Sequence, residues 1–242
     1  MLKKDNYIAI VLAAGQGRRM QSKVAKQYMS IHGKPMLYYS LKAFQESVVD
    51  EVVLVVGGED EIDYCKENIV ECYGFSKVKS IVIGGDERYL SVYNALQAVE
   101  KEIIRGDLDG DNQYVLIHDS ARPLITKQII EDAIEGVVSN KAIVVAVSSK
   151  DTIKIADETG TIEYTPKRSL TYIIQTPQAF EFGLLMKSYQ EVMKCTNLEI
   201  TDDAMIVEHG SNHRIKIVEG NYKNIKVTTP EDIKIAEMLM EV

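Results

Sequence analysis

The 242-residue sequence predicts one α/β domain with a mostly parallel, doubly wound sheet and a protruding β-arm. Three observations carry this. Short β-branched runs such as Ile8–Leu12 and Ala142–Val147 alternate with segments of helical period. The runs are unbroken rather than alternating, as strands covered on both faces require. Residues 149–174 alone depart from the pattern.

The first run passes into Ala13-Ala14-Gly15-Gln16-Gly17 and a basic exit of Arg18, Arg19, Lys23 and Lys26. Small residues let peptide N–H groups approach an oxyanion, and the cations add attraction, so this turn reads as a phosphate cradle. It is not a P-loop, because only Gln16 separates Gly15 from Gly17 and no Gly-Lys-Ser/Thr follows. A dinucleotide fingerprint would need a third small residue where Met20 stands, and an acid where Pro35-Met36-Leu37 lies.

Beyond the cradle, Pro35 opens a helix marked by Leu37, Leu41 and Phe44. A second strand follows at 51–57, a helix at 60–72, and a third strand at 79–83 that ends in Gly84-Gly85-Asp86-Glu87-Arg88. Val92, Leu96 and Val99 mark the next helix. The acidic stretch 106–111 lacks the final glutamate of an EF-hand and reads as a solvated turn. Tyr114–Ile117 is a strand that runs into His118-Asp119-Ser120-Ala121-Arg122-Pro123, with a helix at 126–138 and a strand at 142–147 after it. Residues 149–174 turn at Glu158-Thr159-Gly160 and contain Pro166, the pattern of a β-arm. Such an arm cannot bury both faces alone and is expected to pack on a second subunit. Gln175–Phe180 returns the chain to the core. Helices at 181–194 and 202–209, a strand at 214–218, a short strand at 224–227 and a helix opened by Thr229-Pro230 complete it.

A net charge of −8 argues against general attraction to nucleic acid or an anionic membrane face, so an anionic substrate needs a local basic cluster. No signal-like region and no apolar run of about 20 residues is present, so a soluble, cytoplasmic chain is expected. Cys65, Cys72 and Cys195 have neither zinc spacing nor a disulfide framework and read as reduced thiols.

In an open α/β sheet, ligands bind at the carboxyl ends of strands, where the cradle, Gly84–Arg88, Asp119 and Arg122 all fall. Asp119 suits Mg²⁺, which takes one or two carboxylates plus phosphate oxygens; the alternative is an N-cap for the following helix. Lys26 and Lys226 persuade only as a set. His118 reads as a strand-end packing or hydrogen-bonding residue rather than a base. No serine elbow or Cys/His pair supports covalent catalysis.

Seven ordered motifs then stand out: Ala13-Ala-Gly-x-Gly-Arg-Arg-Met20 with Lys26-Gln-Tyr28, Gly84–Arg88 with Ser91-Val92, His118–Pro123, Asp151-Thr-x-Lys154, Gln175–Gln178, Thr201-Asp202 and Asn224–Lys226. The series resembles the 2-C-methyl-D-erythritol 4-phosphate cytidylyltransferase family over nearly the whole chain. Ala25, Ser120 and Tyr172 stand where proline, alanine and tryptophan are common in that family.

The resemblance implies a Rossmann-like domain of the nucleotide-diphospho-sugar transferase type that forms a homodimer through the arm. It implies that the backbone of Ala13, Ala14, Gly15, Gln16 and Gly17 and the side chain of Arg19 hold the CTP triphosphate. Lys26 and Lys226 would neutralise charge around the α-phosphate, and Asp119 would hold Mg²⁺. Gly85, Asp86 and Ser91 would surround cytosine and ribose. Arg122, Thr152, Arg168 and Thr201 would bind the methylerythritol phosphate, Thr152 and Arg168 arriving across the dimer. Two rivals are a ribitol 5-phosphate cytidylyltransferase, which shares the Gln-Thr-Pro-Gln and Asn-Ile-Lys elements, and a catalytically silent nucleotide-binding module. Ala13-Ala14-Gly15, where the ribitol relative tends to have Ala-Gly-Gly, favours methylerythritol, and the set Lys26, Asp119, Lys226 argues against silence.

Overall fold

The unbroken apolar runs become inner strands. The computed structural model describes residues 5–15, 25–105, 112–195 and 198–240. In chain order the elements are β1 (Asn6–Leu12), β2 (Ser30–Ile31), β3 (Lys34–Pro35), α1 (Met36–Gln45), β4 (Glu51–Val56), α2 (Glu59–Cys65), β5 (Val78–Ile83) and α3 (Arg88–Arg105). They continue with β6 (Gln113–Asp119), α4 (Lys127–Asn140), β7 (Ala142–Ser148), β8 (Ile155–Ala156), β9 (Ile162–Tyr164), β10 (Tyr172–Glu181), α5 (Phe182–Val192), α6 (Asp203–Gly210), β11 (Lys216–Glu219) and α7 (Pro230–Met240).

The central sheet has the order β11-β7-β10-β6-β1-β4-β5. β1 pairs in parallel with β4 and β6, as do β4 with β5 and β7 with β11. Successive residues of β1 serve opposite cores: Ala9 and Val11 pack with α1 and α4 residues such as Leu41 and Ile130, whereas Ile8 and Ile10 pack with Val92, Leu96 and Leu185. Both faces of the strand are therefore buried, and a polar residue has no place in it.

Four readings change. β10 lies antiparallel between β6 and β7 at the centre of the sheet, where the sequence predicted only a return to the core. It starts at Tyr172, whose partner is Ser148, so the last residues of the stretch 149–174 belong to this sheet. Residues 224–227 form no strand; the buried Asn224 instead anchors the segment, its amide donating to Thr176 O at 2.9 Å. The helix expected at 60–72 divides into α2 and a π-helical turn, Lys66–Glu71. The last helix begins at Pro230, and its start is tied by Asp232, whose Oδ2 accepts from the N–H groups of Thr228 and Thr229, both at 2.8 Å.

Within the stretch 149–174, β8 and β9 form a separate antiparallel hairpin. Its turn is closed by Asp157 Oδ1, which accepts from Thr159 N and Thr161 N at 2.9 Å, and Gly160 supplies the left-handed φ of +82°. Ile162, Tyr164 and Leu170 are exposed along this arm. The acidic stretch 106–111 lies outside the described residues.

Candidate active site

The carboxyl ends of β1, β4, β5 and β6 open into a cavity of about 660 Å³. Ladder-like bonds draw the loops together there. Ala13 N donates to Val55 O at 2.7 Å, and Gly84 N donates to Val56 O at 2.8 Å. Gly84 has to be glycine because a Cβ would stand 2.7 Å from both Ala14 Cβ and Ser91 Oγ. Ser91 Oγ in turn accepts from Gly85 N at 3.0 Å, so the first turn of α3 orders the loop before it.

Residues 31–36 and 227–236, far apart in sequence, pack together beside this site. Val227 is buried with Ile31, Met36 and Ala236, and its N–H donates to Ala121 O at 2.8 Å. That seats Lys226 with its Nζ 2.6 Å from Asp119 Oδ2. Lys26 enters from the other side, its Nζ donating to Val227 O at 3.3 Å. Asp119 is the last residue of β6, and the next helix is capped by Thr126, so Asp119 is not an N-cap.

Asp119 Oδ1 is 3.2 Å from Arg88 Nε, and Arg88 Nη1 is 2.8 Å from the buried Asp203. Burial alone would raise the Asp119 carboxyl, but Arg88 and Lys226 outweigh it and hold the group well below the usual carboxylate range. Arg88 bridges two acids, a role the sequence reading does not assign; the signal for it is an arginine directly after a glycine-bearing strand end, with a further acid at Asp203. His118 is fully buried, with Nδ1 3.0 Å from Thr176 Oγ1 and Nε2 3.2 Å from Arg122 O. Burial pushes it down to about 3, so it is a neutral hydrogen-bonding residue.

Gathered at the cavity are Ala14, Gly15, Lys26, Gly85, Asp86, Ser91, Asp119 and Lys226, with Ala13 buried directly behind. Gln16, Gly17 and Arg19 lie outside the described residues. Arg122, Thr152, Arg168 and Thr201 do not line the cavity within one chain. Arg122 donates to Asn224 O at 2.8 Å and Ile174 O at 3.3 Å, Thr201 is exposed before α6, and Thr152 and Arg168 are exposed on the arm.

Among the described residues no group of three His, Cys, Asp or Glu side chains could enclose a metal. The donor set fits a hard cation that arrives with phosphate, since Mg²⁺ needs only one or two protein carboxylates and completes its shell with phosphate oxygens and water. Asp119 supplies one such carboxylate at the cavity wall.

The model of the 2-C-methyl-D-erythritol 4-phosphate cytidylyltransferase family matches residues 7–242. The enzyme of that name from Lachnoclostridium phytofermentans is 51% identical over 236 residues, which cover 98% of this chain and 97% of the relative. The one from Caldanaerobacter subterraneus is 45% identical, covering 97% and 99%. The crystal structure of 4-diphosphocytidyl-2C-methyl-D-erythritol synthase from Anaerococcus prevotii superposes with a TM-score of 0.82 at 33% identity, covering 98% of this chain and 97% of that one. A strand-end cavity flanked by two lysines and an aspartate, in a chain similar to these enzymes over almost its full length, leads to one conclusion: the chain belongs to the 2-C-methyl-D-erythritol 4-phosphate cytidylyltransferase family.

Proposed function

We infer that this chain transfers the cytidylyl group of CTP to 2-C-methyl-D-erythritol 4-phosphate, releasing pyrophosphate and forming 4-diphosphocytidyl-2-C-methyl-D-erythritol for isoprenoid precursor synthesis. The observation that carries the reading is the convergence of Lys26, Lys226 and Asp119 on one cavity at the strand ends.

An oxygen of the acceptor phosphate forms a bond to the α-phosphorus of CTP, and the bond from that phosphorus to the β-bridging oxygen breaks. Pyrophosphate leaves with the electron pair. A phosphate monoester is largely dianionic near pH 7, its second pKa being about 6, so no strong general base is required. The obstacle is crowding of negative charge. Lys26, Lys226 and Arg19 answer it with preorganised positive charge, and the N–H groups from Ala14 to Gly17, Gln16 included, cradle the triphosphate, whereas the expected share of Ala13 is limited to backing the turn because its N–H is taken by Val55 O. Asp119 would hold Mg²⁺, which supplies further charge neutralisation at the phosphates when bound. Lys226 pairs with Oδ2 of that carboxylate and Arg88 with Oδ1, so both cations stand beside the group that would hold the metal.

Gly85, Asp86 and Ser91 surround cytosine and ribose. Arg122 and Thr201 bind the acceptor, together with Thr152 and Arg168 delivered by the arm across a homodimer. Support for that dimer comes from Ile162, Tyr164 and Leu170, large apolar side chains exposed on an arm without a core of its own. No helix among the described residues is long and apolar enough to cross a membrane. The test is release of pyrophosphate from CTP with methylerythritol phosphate present. Tight CTP binding with no pyrophosphate from any acceptor would overturn the reading in favour of a silent module.

A further inference from the structure

Tyr28 follows Lys26 by two residues, yet the chemistry above leaves it unused. The two share one 3₁₀ turn, Lys26–Tyr28, closed by Tyr28 N to Ala25 O at 2.9 Å and Met29 N to Lys26 O at 3.1 Å. Gln27 between them is buried. The Tyr28 hydroxyl donates to Glu61 Oε2 at 2.6 Å, a short, charge-assisted bond. Cys65 Sγ stands 3.1 Å from the same hydroxyl. Burial pushes the Cys65 thiol up, so it is protonated and donates to the tyrosine oxygen. Glu61 also accepts from Gly57 N at 3.3 Å, just beyond the end of β4. An edge-on contact with Tyr64, 5.0 Å between ring centres, completes the seat on α2.

A tyrosine needed only for packing would be as well served by phenylalanine, which has no hydroxyl to satisfy. Here the hydroxyl joins the turn that carries Lys26 to the wall formed by Gly57 and α2, both of which border the cavity. A lysine side chain has many rotamers, so fixing its backbone is one of the few ways to aim its charge. On the far side Lys26 rests on Val227 O. The turn is thus held from both flanks.

We propose that Tyr28 is a positioning residue for Lys26: the Tyr28–Glu61 hydrogen bond fixes the turn on α2 and thereby sets the lysine ammonium against the reacting phosphates. The proposal rests on the role given to Lys26 above. Misplacing a catalytic group by about an ångström costs on the order of 10²-fold, so Tyr28→Phe should lower kcat by between about tenfold and a hundredfold and leave the KM for CTP within about threefold.

The experiment is a double-mutant cycle on the full chain, with Tyr28→Phe, Lys26→Ala and the pair, read by pyrophosphate release and thermal melting. Expected is a loss in Tyr28→Phe that disappears when Lys26 is already alanine, because the two act as a unit. A kcat for Tyr28→Phe within twofold of the parent, or losses that multiply in the pair, overturns the proposal while leaving the lysine's role intact. Normal turnover of Lys26→Ala overturns both. If Tyr28→Phe fails to fold, Glu61→Gln and Glu61→Ala decide in its place. Glutamine keeps an acceptor, so it should retain more turnover than alanine, and the alanine loss should vanish in the Lys26→Ala background; equal losses, or one that persists there, overturn the proposal.

Discussion

Replacing Lys226 by alanine separates a chemical role from a structural one. Its Nζ is 2.6 Å from Asp119 Oδ2, but its side chain is 39% exposed, and Asp119 keeps Arg88 at 3.2 Å after the change. Solvent screening limits the stability contribution of such a pair to about 0–1 kcal/mol. In a domain of this size that is a fall in Tm of no more than about 4 °C. Turnover should respond quite differently. Loss of one preorganised charge at a transition state costs about 10²–10³-fold in kcat, or about 2.7–4 kcal/mol. The assay is pyrophosphate release at saturating CTP and acceptor, with a melting curve on the same sample. A kcat within threefold of the parent would refute the reasoning. So would a Tm lowered by more than about 10 °C, which would make Lys226 a structural residue.

Other perturbations test other parts of the site. Gly84→Ala places a Cβ 2.7 Å from Ala14 Cβ and Ser91 Oγ, so it should cost about 1–3 kcal/mol by overpacking and raise the KM for CTP, measured by denaturant melts and initial rates. Asp232→Asn weakens the tie at the start of α7 and should cost about 1 kcal/mol at pH 7. The Asp232 carboxyl feels burial upward, but bonds from Thr228 and Thr229 hold it below its usual value. Its contribution is therefore full above about pH 4, the ordinary aspartate value, and fades as pH falls through the lower native one; melts of both proteins should converge there. The homodimer proposed above is tested by Ile162→Asp with Leu170→Asp: the parent should sediment as a dimer and the variant as a monomer in analytical ultracentrifugation, with turnover abolished; a monomeric variant with parental kcat would exclude any contribution of Thr152 and Arg168 across an interface.

What the sequence disclosed follows from which forces act locally. Ile8–Leu12 and Ala142–Val147 are legible because both faces are buried, so the apolar run is unbroken. β10 is not, because Gln175-Thr176-Pro177-Gln178 interrupts it with polar residues. Their partners lie elsewhere: Gln178 Oε1 accepts from Asp203 N at 3.1 Å and Ala204 N at 3.0 Å, and Thr176 Oγ1 accepts from Asp119 N at 3.1 Å. A central strand that satisfies other elements' N–H groups looks like a loop in sequence. The same holds for Asn224–Val227, whose β-like pattern conceals a segment tied by a buried asparagine rather than a ladder. Lys26, Asp119 and Lys226 were legible through motif order, whereas the link from Arg88 to Asp203 and that from Tyr28 to Glu61 depend on tertiary proximity that no spacing encodes.

Specificity for the acceptor is tested most directly by competition. With CTP, Mg²⁺ and equal concentrations of 2-C-methyl-D-erythritol 4-phosphate and ribitol 5-phosphate, the products are separated and quantified by mass and by their diphosphate phosphorus resonances. The expected result is 4-diphosphocytidyl-2-C-methyl-D-erythritol as the dominant product, with one pyrophosphate released for each molecule formed. Cytidylylated ribitol phosphate in excess, or no diphosphate product from either acceptor, would contradict it.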